Sequence, residues 1–221
     1  MTSRLGAVLW DMDGLLVDSE PVWTVAEVEL AALLGGVWSD QLKASIVGTR
    51  LDVAVPRILE HYGRETTSEA VVAASSWLLR RMVELFAAEI AVRPGVTALL
   101  ASLQAAGIPQ AMVSSSYRVL VDSVLSHGLG PFALTLAGDE VQHGKPHPEP
   151  YLTAAGRLGV DPRDCVVLED SGAGVLSGQA AGCAVVAVPS VAGVSFVAGP
   201  RLAVRSSLAG LTPGDLATLL G

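Results

Sequence analysis

From residue 92 onwards, short β-rich runs alternate with helical patterns that end at glycines. The predicted strands are residues 108–113, 132–137, 165–168 and 184–188, and the predicted helices are residues 96–106, 117–127, 149–158 and 171–181, with a last helix near the end of the chain. A strand that follows its neighbour through a helix lies parallel to it, and the helices cover both faces of the sheet. This alternation therefore predicts an α/β fold around a parallel sheet.

The first strand is separated from the others along the chain. Residues 5–11 form an apolar run typical of a buried strand, whereas residues 20–90 show helical patterns without a strand signal. We therefore predict a Rossmann-like parallel sheet core from residues 1–17 and 92–221, covered by helices on both faces. Residues 18–91 are predicted to form an inserted all-helical cap domain, with hinges near residues 17–19 and 91–93.

The first strand ends in two carboxylates and a glycine, Asp11-Met12-Asp13-Gly14. Residues i and i+2 of an extended chain point to the same side, so Asp11 and Asp13 can address one small volume. Two such anions repel each other unless a cation or a proton lies with them. The pattern indicates a divalent metal, acid–base chemistry or both, although an isolated motif of this kind is equally typical of an ordinary polar turn.

Further polar residues follow two other predicted strands. Ser114, Ser115 and Ser116 come directly after residues 108–113, at the start of a helix whose free N–H groups suit a phosphate oxygen. Lys145 lies between Gly144 and Pro146, where the proline restricts its backbone to extended conformations. A serine at a helix start is also an ordinary cap, and a loop lysine is usually solvated.

Glu169 and Asp170 follow the predicted strand at residues 165–168. Ligands of parallel sheets bind beyond the carboxyl ends of the strands, so these residues are expected to meet Asp11 at one edge. Carboxylate oxygens suit an octahedral Mg²⁺ ion, although Asp170 can also act as a helix cap. The four histidines show no zinc-ligand spacing, and no role is predicted for them.

Composition excludes several classes of protein. The formal net charge is -8 and the chain has no run of Lys or Arg, which argues against a nucleic-acid partner. The uncharged stretch at residues 171–200 is interrupted by glycines and prolines, so no membrane span is expected. Cys165 and Cys183 lie in apolar runs, and the N-terminal apolar run is too short for a signal peptide. No disulfide framework is implied, so a cytoplasmic protein is expected. Nothing in the sequence suggests an extended interface, so a monomer is the default expectation.

Four ordered motifs resemble those of the haloacid dehalogenase-like hydrolases. They are Asp11–Pro21, Ser114, Gly144-Lys145-Pro146 and Leu168-Glu169-Asp170-Ser171. The resemblance extends over nearly the whole chain and is strongest to the branch with β-phosphoglucomutase, sugar-phosphate phosphatases and phosphoglycolate phosphatases. The continuation Asp18–Trp23 is particularly similar to hexitol phosphatases and deoxysugar phosphatases such as those acting on 2-deoxyglucose 6-phosphate.

The resemblance implies a covalent mechanism. Asp11 would attack phosphorus and form an aspartyl-phosphate, and Asp13 would protonate the leaving alcohol and then activate water. Mg²⁺ would be held by Asp11, Asp170 and the backbone carbonyl of Asp13, with Glu169 assisting.

The same resemblance implies how the substrate is held. Ser114, its following backbone N–H groups and Lys145 would bind the transferring oxygens of a small phosphorylated metabolite. The cap would close over the substrate, and Trp23, Arg50 and Arg80 are the candidate cap contacts.

Other activities of this superfamily fit less well. Metal-independent dehalogenases lack an aspartate at the position of Asp13, and phosphonoacetaldehyde hydrolases need a Schiff-base lysine in the cap, where Lys43 is the only lysine. β-Phosphoglucomutase carries a histidine at the position of Trp23, which favours a phosphatase here. A mutase and a phosphoglycolate-type phosphatase remain as alternatives, and a non-catalytic binding protein is disfavoured by the complete set of motifs.

Overall fold

The computed structural model describes residues 5–46, 48–88, 90–190 and 194–221. It contains one sheet in the order β3-β2-β1-β4-β5-β6, and every neighbouring pair of strands is parallel. The strands are β1 (Ala7–Trp10), β2 (Gln110–Val113), β3 (Leu134–Leu136), β4 (Cys165–Glu169), β5 (Ala184–Ala187) and β6 (Leu202–Val204). The predicted parallel α/β fold is confirmed, and β1 lies inside the sheet between β2 and β4.

Helices occupy the intervals that the sequence pattern indicates. They are α1 (Glu20–Leu33), α2 (Asp40–Ile46), α3 (Leu51–His61), α4 (Ser68–Ala88), α5 (Val96–Ala105), α6 (Arg118–Leu125), α7 (Glu149–Leu158), α8 (Gly172–Ala180) and α9 (Pro213–Thr218). Two short 3₁₀ turns lie at Gly138–Glu140 and Pro162–Asp164. Within the described residues, no helix is both long enough and apolar enough to cross a bilayer.

The sequence analysis missed β6. This strand is only three residues long, and it pairs with β5 through Val185 opposite Leu202 and Ala187 opposite Val204. A run this short does not show the alternation or the apolar length of a strand, so pairing with the existing sheet edge decides its conformation.

Alternate residues of the strands fill two cores. On β1, Val8 and Trp10 point to one core, whereas Ala7 and Leu9 point to the other. The first core includes residues of α5, α6 and α9, and the second includes residues of α7 and α8. Burial on both faces explains why each interior strand is an almost continuous apolar run. The cysteines Cys165 and Cys183 are buried free thiols in the second core.

Helices α1–α4, which we call the helical insertion, lie in the chain between β1 and α5. Its two connections to the sheet run side by side. The Asp18 N–H donates to Ala91 O at 2.8 Å, and the Arg93 N–H donates to Leu16 O at 3.0 Å. The two segments predicted as hinges therefore lie next to each other. The domain boundaries and the hinge role stay predictions. The far end of α4 contacts α6, where His127 Nε2 lies 2.8 Å from Phe86 O.

A sharp turn after β1 depends on Gly14. Its φ is +79°, and its N–H donates to Val17 O at 2.9 Å. A Cβ atom at this position would also overlap Oδ2 of Asp170. Glycine is needed here both for the backbone conformation and for the close approach of a carboxylate.

Replacing Gly14 by alanine tests this requirement. We expect Gly14→Ala to lower the free energy of unfolding by about 3 kcal/mol, because left-handed strain and the overlap with Asp170 act together. Gly63→Ala is the matched control, since Gly63 has a φ of +63° and open space around it. Strain alone should cost the control about 1 kcal/mol. Urea unfolding measures both, and equal losses would contradict the role of Asp170.

Candidate active site

The carboxyl ends of β2, β1 and β4 meet at one edge of the sheet. Trp10 is in register with Met112 on one side and with Leu168 on the other. The next residues, Asp11 and Glu169, therefore lie beside each other although they are far apart in the chain. Parallel pairing therefore brings the motifs that follow β1, β2 and β4 to one edge of the sheet.

Lys145 links these strand ends. Its Nζ donates to Asp11 Oδ1 at 2.6 Å, to Glu169 Oε1 at 2.6 Å and to Val113 O at 2.9 Å. Burial lowers the pKa of Lys145, but the adjacent Asp11 and Glu169 outweigh burial and raise the pKa above its ordinary value. The lysine is therefore a fixed, buried cation that holds one oxygen of Asp11.

Glu169 is surrounded by hydrogen-bond donors. Besides Lys145, its Oε1 accepts from the Tyr151 hydroxyl at 2.7 Å. Its Oε2 accepts from the Asp170 N–H at 3.0 Å, the Ser171 N–H at 3.2 Å and Ser171 Oγ at 3.1 Å. This arrangement suits a group that orients Lys145. Tyr151 was missed by the sequence analysis because an aromatic residue on the inner side of α7 has the pattern of a core residue.

Asp11, Glu169 and Asp170 form a buried acidic cluster, with one candidate ligand atom from each lying within 4.8 Å of the others. Burial, followed by the charge of Glu169, raises the pKa of Asp11 well above its ordinary value and raises that of Asp170 to about 8. Lys145 offsets only part of this repulsion. The hard oxygen atoms and the excess negative charge therefore fit a divalent cation such as Mg²⁺. Ser190, which sequence reasoning missed, donates to Asp170 Oδ2.

The carboxyl group of Asp13 is held apart from the acidic cluster. Its Oδ1 accepts from Ser19 Oγ at 2.8 Å and from the Trp23 indole N–H at 3.1 Å. Its Oδ2 accepts from Ser116 Oγ at 2.7 Å and from Ser114 Oγ at 3.3 Å. Donors from both the sheet and the helical insertion thus fix this carboxyl, and Trp23 is brought to the site by direct contact with it.

The three serines after β2 have different roles in the hydrogen-bond network. Ser114 Oγ accepts from the Ser116 N–H at 2.9 Å. The buried Ser115 Oγ has no hydrogen-bond partner among the described residues. Ser115 and Ser116 line a cavity between the sheet edge and the helical insertion, together with Asp11, Asp13 and Asp170. The unpartnered hydroxyl in this group is that of Ser115, whereas the sequence analysis emphasised Ser114.

Two predicted cap contacts lie elsewhere. The Arg50 guanidinium bonds to Asp52 Oδ1 at 3.0 Å and to Val141 O at 3.0 Å, outside the cavity that contains Asp11. Arg80 is exposed on α4. Arginine fits the place of Arg50 because its planar group satisfies several acceptors at once. The structure does not bring Arg50 or Arg80 together with the acidic cluster.

A second group of potential ligands lies on the surface. His143, His147 and Glu149 each offer an atom within 4.8 Å of the other two, and His143 Nδ1 lies 2.8 Å from Glu149 Oε2. The sequence analysis assigned no role to the two histidines. Their spacing of four residues around Lys145 was the available signal.

Glu27 is an acidic cavity residue that sequence reasoning missed. It is 8% exposed, lines the same cavity as Asp11, and its Oε2 has no hydrogen-bond partner in the described part of the chain. Burial raises the pKa of Glu27 to about 8, Lys43 opposes this rise and Glu20 adds to it. A glutamate on the inner face of α1, between Trp23 and Leu30, was the signal in the sequence.

The chain matches the haloacid dehalogenase-like hydrolases over residues 5–182. A parallel α/β sheet that carries an aspartate, lysine and acidic pair at its carboxyl edge agrees with that match, and the chain belongs to this family. The predicted family and fold are thereby confirmed.

Individual relatives are similar over most of this chain. Hexitol phosphatase A of Escherichia coli (strain K12) is 38% identical over 190 residues, which cover 84% of this chain and 83% of that protein. A bifunctional riboflavin kinase/FMN phosphatase of Arabidopsis thaliana is 34% identical over 83% of this chain, and the chain spans about half, 48%, of its length. The structure of CbbY from Rhodobacter sphaeroides in complex with phosphate has a TM-score of 0.82 at 28% identity, covering 94% of this chain and 96% of that chain.

The family and its phosphatase members confirm the predicted enzyme class, a phosphoric monoester hydrolase. The metal, the covalent intermediate, the substrate and the roles of the site residues remain predictions at this point.

The raised pKa of Glu27 predicts a pH-dependent effect on stability. The group titrates at its ordinary pKa of 4.5 when unfolded and at about 8 when folded, so the folded state binds more protons between these values. The contribution of Glu27 to the free energy of unfolding of the wild type is therefore fully present below pH 4.5 and is lost as the pH rises to 8. Glu27→Gln cannot ionise, and its stability advantage over wild type should grow by up to about 4 kcal/mol between pH 5 and pH 8.

Urea unfolding at both pH values measures this difference. Glu60→Gln is the control because Glu60 is exposed on α3, and its difference from wild type should stay constant with pH. A Glu27→Gln advantage that does not change with pH would contradict the raised pKa.

Proposed function

We propose that this enzyme is a Mg²⁺-dependent phosphatase that hydrolyses a small sugar or polyol phosphate through an aspartyl-phosphate intermediate. One observation carries this proposal. Lys145 holds Asp11 within the acidic cluster, at the floor of a cavity whose opposite wall is the helical insertion. A carboxylate, a fixed cation and a place for a divalent ion are the groups that phosphoryl transfer requires.

Asp11 is the proposed nucleophile. Lys145 binds its Oδ1, which leaves the second carboxyl oxygen to attack phosphorus. The new bond joins that oxygen to phosphorus while the bond from phosphorus to the ester oxygen breaks. Asp13 gives its proton to the departing alkoxide, so the alcohol leaves as a neutral molecule.

Asp13 also serves the second step. Its carboxylate accepts a proton from water as the water oxygen attacks phosphorus, and the bond between phosphorus and Asp11 breaks. Phosphate and free Asp11 result, and Asp13 is protonated again for the next cycle. The four hydrogen bonds to Asp13 from Ser19, Trp23, Ser114 and Ser116 support this assignment because they fix the carboxyl beside the cavity.

The proposed Mg²⁺ ligands are Asp11, Asp170 and the backbone carbonyl of Asp13, with Glu169 assisting. When bound, the ion would offset the charge of the carboxylates and polarise the phosphoryl group. Glu169 has a second proposed role, since its five hydrogen bonds hold Lys145 and the backbone that leads to Asp170. Ser114, Ser115, Ser116 and Lys145 are proposed to bind the transferring oxygens.

The proposed substrate class comes from the relatives and from the cavity. Relatives include a hexitol phosphatase, and the cavity is closed by helices α1–α4, which we propose act as a cap. Trp23 occupies the place where the related mutases carry a histidine. Its indole N–H donates to Asp13 and offers no proton-accepting nitrogen, which favours hydrolysis over transfer back to a sugar.

The nucleophile is tested by Asp11→Asn. Phosphate release from p-nitrophenyl phosphate should fall by about 10³-fold or more, because an amide cannot form the acyl phosphate at a useful rate. Chelation of Mg²⁺ in the wild type should cause a comparable loss. Asp122→Asn is the control because Asp122 is an exposed residue of α6, and it should keep wild-type activity. Activity that survives Asp11→Asn or chelation would contradict the mechanism.

The role of Trp23 is tested by Trp23→Phe. This change keeps an aromatic ring in the cavity but removes the N–H that donates to Asp13, so kcat should fall about tenfold while KM changes little. Steady-state kinetics measure the two constants separately. A change in KM alone would indicate a contact with substrate rather than with Asp13.

The alternative of a mutase is tested on the wild type. Incubation with β-glucose 1-phosphate should yield phosphate and no more than traces of glucose 6-phosphate, measured with a coupled dehydrogenase. A substantial yield of glucose 6-phosphate would replace the phosphatase proposal by the mutase.

A further inference from the structure

Helix α1 presents three polar side chains to the cavity. Glu20, Trp23 and Glu27 are spaced by three and four residues, which places them on one face of the helix, and all three line the cavity. Trp23 contacts Asp13. Four residues of helix advance the chain by about 6 Å, so Glu27 lies one turn beyond Trp23 along the axis of α1.

Apolar side chains make up much of the cavity wall that Glu27 shares. The other insertion residues that line the cavity include Ile46, Leu51, Ala54, Ile58 and Leu78. Glu20, the other acidic residue of this wall, also has an Oε2 without a hydrogen bond among the described residues, but that oxygen forms an ion pair with Lys43 Nζ at 3.0 Å. Glu27 Oε2 has no partner among the described residues. A buried carboxyl without a hydrogen bond is costly, so a partner supplied by the ligand would explain its presence.

We infer that Glu27 binds a hydroxyl group of the leaving alcohol and thereby selects polyol and sugar phosphates against esters whose leaving alcohol carries a carboxylate. This inference rests on the proposed function and assigns a specificity-determining residue to it. It follows from the unpartnered carboxyl, its burial and its place in the same cavity as Asp11.

The chemistry of a carboxyl group suits this role. A neutral carboxyl can donate one hydrogen bond and accept another, and a hydroxyl group complements both. A leaving group that carries its own carboxylate would face Glu27 and Glu20, with Lys43 already paired to Glu20. The apolar side chains of this wall restrict where that hydroxyl can lie, which gives selectivity by position.

The test compares Glu27→Leu and Glu27→Gln on two substrates, a hexitol phosphate and p-nitrophenyl phosphate. The leaving group of p-nitrophenyl phosphate carries no additional hydroxyl group that Glu27 could bind. We expect Glu27→Leu to lower kcat/KM for the hexitol phosphate about tenfold, while kcat/KM for p-nitrophenyl phosphate stays within about twofold. Glu27→Gln retains a donor and an acceptor and should stay within about threefold of wild type on both substrates.

Thermal unfolding separates recognition from a structural role. The melting temperature of Glu27→Leu should equal or exceed that of wild type, because the change removes a buried unpartnered carboxyl. Glu60→Leu makes the same chemical change at an exposed position of α3 and should leave the ratio of the two kcat/KM values unchanged.

Phosphoglycolate is a third test substrate. The ratio of kcat/KM for phosphoglycolate to kcat/KM for the hexitol phosphate should be higher in Glu27→Leu than in wild type. A ratio of hexitol phosphate to p-nitrophenyl phosphate that falls by less than about threefold would overturn the inference and leave the proposed function standing. Equal losses on both substrates with a lower melting temperature would overturn it as well. A wild type that releases no phosphate from either compound would instead overturn the proposed function, and this inference with it.

Discussion

The charge interaction of Lys145 with Asp11 and Glu169 is the constraint on which the rest of the site depends. Three carboxylates in a buried cluster repel one another, and one buried ammonium group at 2.6 Å from two of them reduces that repulsion without cancelling it. The remaining negative charge favours a divalent cation, and the fixed position of Asp11 suits the nucleophile that we propose. The same excess of charge that would destabilise the bare fold would therefore favour the metal that we propose, and the bound metal would in turn attract a phosphate ester.

The strand order and two glycines of the fold produce this arrangement. Placing β1 between β2 and β4 brings three strand ends together, and the turn at Gly14 allows Asp170 to approach the chain that follows Asp11. Gly174 serves a similar purpose in α8, because a Cβ atom there would overlap the carboxylate of Glu169. Both glycines are explained by a neighbouring carboxylate, which ties the backbone of the core directly to the chemistry of the site.

Sequence patterns predicted most of this structure, and the exceptions have physical reasons. Apolar periodicity and glycine stops located five of the six strands, since burial on both faces leaves a strong signal, whereas the edge strand β6 depends on its pairing with β5. The family motifs predicted that Asp11, Lys145 and Asp170 belong to one site. Tyr151 and Ser190 were missed because their partners are distant in sequence, and Glu27 was missed because a glutamate within a helical pattern does not reveal the cavity that it lines. The predicted substrate contact of Arg50 stays a prediction, and its guanidinium bonds to Val141 O. Long-range contacts of single side chains leave no periodic pattern.

In the mechanism that we propose, the two walls of the cavity have different roles. The sheet edge carries charge and hydroxyl groups, which suit phosphoryl transfer and depend little on the identity of the leaving group. The helical insertion offers apolar side chains and the carboxyl of Glu27, which has no partner among the described residues, and these can discriminate between leaving groups without touching phosphorus. Trp23 joins the two walls because it belongs to α1 and donates to Asp13. A substrate that fits the insertion would hold α1 against the sheet, so recognition of the leaving group and orientation of the acid–base group would occur in the same step.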